Sequence, residues 1–277
     1  MSTLILASAK GSPGVTTTTL ALSFWWRRPL ILIEADQAGG DIAVRLGMSE
    51  EPGLVGLAAA LRRSPVGHQH NADLIAQYTQ RTPLGKQVVL APAGSAQAAS
   101  ALSLLSETAA VSPPHETDLL VDIGRSANST GSNDEVGSGH GWDWIVTSSD
   151  VAIWICRPVL ADLAHLAARL HHQRDSNRFQ VIVLVGAGSY PPGEIATTLG
   201  TPVIGHLPTD PHGAAALCAG GGRGWTRSPL SRASKTLVET ISAVLDSQGS
   251  QDTRAEVPRD RIEIKRPDVS QSAGGSC

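Results

Sequence analysis

ASAKGSPGVTTTT, residues Ala7–Thr19, follows the apolar run Leu4-Ile5-Leu6 and leads into LALSFWW. Gly11 and Gly14 allow backbone turns that other residues resist, so this loop can wrap closely around a small ligand. Where a helix follows such a loop, its first N–H groups point back into the turn at the positive end of the helix dipole. That arrangement holds phosphate oxygens, and a hydroxyl just past the loop, here Thr16, is positioned to hold Mg2+. Taken alone, the stretch fits a ligand-free strand-to-helix turn equally well. Its surroundings decide between the two.

Outward from this loop, short apolar runs alternate with longer Ala/Leu segments, the pattern of βαβ units around a mostly parallel sheet. Strands are expected near Thr3–Ser8, Leu30–Glu34, Gln87–Ala91, Asp118–Ile123, Val151–Cys156, Gln180–Val185 and Pro202–His206. Cores such as LILIE, LLVDI, VAIWI and VIVLV are nearly continuous apolar stretches, as in strands covered by helices on both faces. Helices are expected at Thr16–Trp26, Leu54–Arg62, Ala72–Gln80, Ala96–Ala110, Ala161–His172, Pro192–Leu199, Gly213–Ala219 and Pro229–Leu245. Leu230, Ala233, Leu237, Ile241, Val244 and Leu245 recur at helical spacing, so the last helix should lie amphipathically on the core. The fold class is therefore α/β, a mostly parallel sheet flanked by helices on both faces.

Two segments depart from this pattern. Ser126–Gly141, SANSTGSNDEVGSGHG, reads as a polar loop, and residues 247–277 as a polar tail too poor in large apolar groups to fold alone. The expected division is one nucleotide-binding domain over 1–246 and a disordered tail over 247–277. A chain of 277 residues suffices for a substantial core. The formal net charge of −3 gives no bulk electrostatic case for nucleic acid or an anionic membrane. Cys156, Cys218 and Cys277 are too scattered for a disulfide framework, which points to the reducing cytoplasm. No apolar run approaches the roughly 20 residues of a membrane span, and the first run reads as a strand, not a signal peptide.

Three further motifs give the loop its context. LILIEADQAGGDIAVRLG (30–47) ends a strand on Glu34-Ala35-Asp36 and continues into a glycine-rich turn at Gly39, Gly40 and Asp41. DLLVDIGR (118–125) ends an apolar strand on Asp122, a carboxylate suited to holding Mg2+ through water. GHLPTDPHG (205–213) carries Pro208 and Asp210 in a late turn. Asp36 has a plain structural alternative as an N-cap acid at a strand end, and the Asp122 pattern is common, so its value lies in its order and spacing after the loop and Asp36.

Together these stretches resemble the ParA/MinD class of P-loop ATPases over roughly Thr3 to Leu245. Lys10-Gly11-Ser12-Pro13-Gly14-Val15-Thr16-Thr17 is similar to that family's deviant Walker A pattern, KGGxGK[ST]T. The resemblance implies ATP and Mg2+ as ligands and a nucleotide-sandwich homodimer, in which Lys10 reaches the partner's phosphates. It also implies that Asp36 positions the attacking water, that Thr16 and Asp122 serve the metal, and that Pro208 and Asp210 lie beside the adenine. Three departures stand out. Ala9 replaces the usual first glycine, Gly186-Ala187-Gly188 offers no base-reading Asn, and Val15 replaces the P-loop lysine. Losing that charge-assisted contact costs on the order of 1.5–3 kcal/mol, a roughly ten- to hundredfold loss of affinity.

The expected function is a nucleotide-dependent switch or positioning protein with weak or absent hydrolysis and an unidentified protein partner. The alternative is a pseudo-ATPase scaffold serving a pilus, secretion or segregation partner, similar to the TadZ/CpaE branch. A dethiobiotin-synthetase-like ligase is disfavoured, because that chemistry uses the lysine Val15 replaces. DNA binding has only the modest group Arg223, Arg227, Arg232 and Lys235 behind it, and a solvated helix face explains those as well. His68 and His70, or His171 and His172, lack zinc-site spacing. No motif implies membrane insertion.

Overall fold

Apolar residues alternate along each central strand, and the alternation sorts them onto two faces. Ile5, Ile31, Ile33, Leu119, Val121, Ala152, Trp154, Ile182 and Leu184 share one buried cluster, while Leu4, Leu6, Leu30, Leu32, Leu120, Val151, Ile153, Val181 and Val183 share the other. The computed structural model describes residues 1–11, 13–63, 68–107, 114–126, 149–172 and 179–252. Ser12, the expected loop beyond Ser126, the tail beyond residue 252 and the His68 and His70 side chains lie outside the described residues.

Among the described residues, eight strands form one sheet: β1 (Thr3–Ser8), β2 (Leu30–Glu34), β3 (Gln80–Arg81), β4 (Gln87–Val89), β5 (Asp118–Arg125), β6 (Val151–Cys156), β7 (Phe179–Val185) and β8 (Val203–Leu207). Their spatial order is β3-β4-β2-β5-β1-β6-β7-β8. Every pairing is parallel except β3 with β4 at the edge. The fold is the α/β class expected.

Helices cover both faces. On the first lie α3 (Leu54–Arg63), α4 (His68–Gln77), α5 (Ser95–Glu107), α6 (Leu160–His172) and α7 (Pro192–Leu199). On the second lie α1 (Val15–Trp25), α2 (Ile42–Leu46), α8 (Pro211–Cys218), α9 (Gly222–Thr226) and α10 (Pro229–Asp252). The spacing read in the last helix is the buried one: Leu230, Leu237, Ile241 and Leu245 all face the core. The threonine run does not break α1. Thr19 Oγ1 donates to Val15 O at 3.0 Å, so a buried hydroxyl finds its partner one turn back. Among the described residues no helix is long and apolar enough to cross a membrane.

Several bounds differ from expectation, for local reasons. Gln80 closes no helix but pairs with Val88 in the antiparallel edge strand, after α4 ends at Gln77. α2 and α9 each have only 5 residues, too few for a helical period to register in the sequence. β4 ends at Val89, yet Leu90 O still accepts a hydrogen bond from Leu54 N at 2.8 Å.

Candidate functional site

The C-terminal ends of β1, β2 and β5 lie side by side, because β5 inserts between the other two. In open α/β sheets that edge is where ligands are bound. Between β1 and α1 the chain turns through Gly11 (φ 72) and Gly14 (φ 94), both in the left-handed region that favours glycine. Gly14 is the N-cap of α1, and no side chain caps the helix there. Thr18 N donates to Gly14 O at 2.8 Å, so the amides of the preceding turn have no helical acceptor.

β5 reaches the loop through a register shift. Leu6 pairs with Asp122 and Ala7 with Gly124, leaving Ile123 as the extra residue of a bulge. Just before the shift, strand alternation puts Asp122 with Leu120 on the α1 side of the sheet, at 0% exposure. Its Oδ1 accepts from Gly124 N at 2.9 Å, whereas Oδ2 has no hydrogen-bond partner among the described residues. Burial pushes this carboxyl up to about 6. The Thr16 hydroxyl and the Gly124 amide pull it down, Asp36 adds to the rise, and Arg45 opposes it. An unpartnered carboxylate oxygen this deep is costly unless something charged or protic meets it.

β2 delivers two acids with different environments. Glu34 Oε1 accepts from Asp41 N at 2.6 Å and Ile42 N at 2.8 Å, and Oε2 accepts from Ala91 N at 3.1 Å. It therefore latches the start of α2 to the segment after β4. A Cβ on Gly40 would overlap the Glu34 carboxylate and the Ala91 carbonyl, so the glycine is required for that latch. Burial raises Glu34 to about 7 against the three amides that favour its charge. Asp36 stands at the mouth, half-buried, with Oδ1 accepting from Ala38 N at 2.8 Å. Its pKa is raised by burial and by Asp41, with the Ala38 amide and Arg125 acting against. Gly124 (φ 64) makes room for it, since a Cβ there would collide with the Asp36 carboxylate.

These elements enclose a cleft of about 430 Å3 lined by the loop, Asp36, α2 and the end of β5. Of the residues singled out in the sequence, Gly11, Gly14, Val15, Thr16, Thr17 and Asp36 line it, with Asp122 buried beside Thr16. Lys10 is exposed and Pro13 buried, and neither is on the lining. Val15 is 5% exposed and belongs to the apolar layer under α1. Pro208 and Asp210 stand apart from this cleft. Asp210 caps α8, with Oδ1 accepting from Gly213 N at 2.8 Å and Oδ2 from Leu230 N at 3.1 Å.

Sequence reasoning missed Glu34 as a latch, Gly124 as a space-maker, and the cations Arg45 and Arg125 on the lining. Glu34 had a signal, an acid preceding a Gly-Gly turn. Arg45 had none, because its proximity to the loop depends on how α2 folds back.

Among solved structures, the fold is similar to that of a ParA family ATPase from Chlorobium tepidum, with TM-score 0.65, 18% identity, and 86% of this chain and 97% of that one covered. It is also similar to the cell division ATPase MinD of Pyrococcus furiosus, with TM-score 0.68, 17% identity, and coverage of 88% and 100%. The chain has the ParA/MinD fold. A putative plasmid partition protein from Borrelia burgdorferi, bound to AMPPNP, shares the ParA/MinD fold at TM-score 0.62 and 12% identity, with 88% and 99% covered. No family model matches the sequence, and no curated protein matches it.

Proposed function

We propose that this chain binds ATP with Mg2+ in the cleft beside Thr16 and acts as a nucleotide-dependent switch or positioning protein, with slow or no hydrolysis. One observation carries the reading: among the described residues Asp122 Oδ2 is fully buried without a hydrogen-bond partner, beside a helix N-terminus that none of their side chains caps. An Mg2+ ion bound there would supply the missing charge and would neutralise phosphate oxygens. Thr16 and Asp122 would hold it. Among the described residues no group of three or more His, Cys, Asp or Glu forms a ready cage. That suits a metal held by one or two protein ligands, with phosphates and waters completing its shell.

Gly11 to Thr17 would cradle the phosphates with backbone amides, and Asp36 would orient the attacking water. The resemblance assigns Pro208 and Asp210 to the base side. Because both Asp210 oxygens are engaged by backbone amides, we assign that role to the turn it holds. Lys10, exposed beside the cleft, is free to reach a second copy of the chain in a homodimer. The AMPPNP complex of a structural relative supports the choice of nucleotide.

A second reading has its own observation. Val15 is packed into the apolar layer, so the loop's side chain gives no charge to a phosphate, as in a pseudo-ATPase scaffold that binds its pilus, secretion or segregation partner without turnover. Isothermal titration with ATP and Mg2+ separates the two. The switch requires saturable binding well below millimolar, and heat no stronger than that leaves the scaffold. In a Val15→Lys variant, restored turnover would mark an otherwise complete site.

A further inference from the structure

We infer that the guanidinium of Arg45, carried on α2 and not on the loop, supplies the phosphate-binding charge that Val15 lacks. This rests on the nucleotide reading above and deepens it by naming the residue that replaces the lysine.

Among the described residues, Arg45 and Arg125 are the cations on the cleft lining. They differ in how they are held. Arg45 is exposed but tethered: Nη2 donates to Asp41 Oδ2 at 2.8 Å, and Nη1 donates to Thr17 Oγ1 at 3.4 Å. Thr17 is in the first turn of α1, where an anion bound at that helix end must lie. Asp41 in turn is fixed through its amide by Glu34, so the charge is oriented before any ligand arrives. Preorganised charge of this kind loses little freedom on binding. Arg125 is exposed, at the outer end of β5. Arg157 approaches Gly11 but gives two hydrogen bonds to Asp162, at 2.7 and 3.1 Å, and is not on the lining.

The physical consequence is a displaced cation. The lysine's position, Val15, opens α1 itself, whereas Arg45 is carried on a separate five-residue helix latched by Glu34. The Arg45 charge also reaches the Asp122 carboxyl, where it favours the ionised form. Arginine further offers a planar fork that matches phosphate oxygens, which a lysine does not.

Titration calorimetry of the full chain with ATP-Mg2+, sodium tripolyphosphate and adenosine tests the assignment, with thermal unfolding to check the fold of each variant. Arg45→Ala should weaken ATP-Mg2+ and tripolyphosphate about ten- to a hundredfold. Adenosine should be unaffected, and Arg45→Lys should lose less. Adding Val15→Lys to Arg45→Ala should recover affinity, because the charge returns from the other direction. Asp41→Ala removes the carboxylate that orients Arg45 but keeps its charge, and should lose less affinity than Arg45→Ala. If the unmodified chain binds ATP-Mg2+ but Arg45→Ala binds it equally well, or Arg125→Ala alone carries the loss, Arg45 is not the missing charge. An equal loss in Asp41→Ala overturns it too, by showing that Arg45 acts only through α2. Failure of the unmodified chain to bind either ATP or tripolyphosphate sinks the nucleotide reading itself.

Discussion

Glu34 is a carboxyl whose ionisation works against the fold, although three amides face it. Burial raises it from 4.5 to about 7, so the folded state takes up protons relative to the unfolded chain. The favourable contribution is present below about pH 4.5 and is lost as the pH climbs toward about 7. Asp122, raised to about 6, acts in the same direction. From Glu34 alone, stability should fall on the order of 2–3 kcal/mol across that window. In Glu34→Gln that share disappears. The amide nitrogen also cannot accept from Ala91 N, leaving a buried donor worth about 1–3 kcal/mol unpaired. Urea unfolding at several pH values between about 5 and 8 reads both effects. Parallel pH profiles for the variant and its parent would remove Glu34 from the account.

Whole elements depend on single caps. Asp210 closes the first turn of α8 and receives the first amides of α10, joining two helices through one side chain. The Gly213 amide, followed by Leu230 and Ser228, holds its carboxyl below the usual carboxylate range. Asp210→Ala should therefore cost about 1–2 kcal/mol, while Asp210→Asn, which can still cap, should retain most of it. Thermal unfolding of the two variants decides the point, and equal melting temperatures for all three proteins would contradict it. Loss of ATP affinity in the Asn variant without loss of stability would instead assign the side chain directly to the base. The short helix α2 poses the opposite problem. Its 5 residues have no stability of their own, so its position is imposed by Glu34 at one end and the buried Ile42, Ala43 and Leu46 beneath it.

For the molecule as a whole, the proposed switch is an association equilibrium. If Lys10 completes the partner's site, ATP-Mg2+ should convert monomer to dimer, and Lys10→Ala should abolish that conversion while leaving nucleotide affinity of the monomer within about threefold. Light scattering after size-exclusion chromatography, with and without nucleotide, measures this directly. Asp36→Ala should keep the dimer and extend its lifetime, because water would no longer be oriented for hydrolysis. A dimer that forms equally with no nucleotide would remove the switch and leave a constitutive scaffold. Association with DNA is a separate question, answered by whether any gel shift persists as salt is raised.

The order of strands and helices was legible in the sequence because each carries its own period, and apolar runs such as LILIE and VIVLV are dictated by burial on two faces. The turn through Gly11 and Gly14 and the strand-end acids Asp36 and Asp122 could be picked out in the sequence as candidates, because left-handed turns favour glycine and an acid ending an apolar run stands out. The third dimension decided where charge meets charge. Only the assembled sheet shows Asp122 buried with an Oδ2 that finds no partner among the described residues, and only the placement of α2 brings Arg45 to Thr17. Both depend on residues distant in the chain brought together by how the sheet orders its strands, and local sequence holds no record of them.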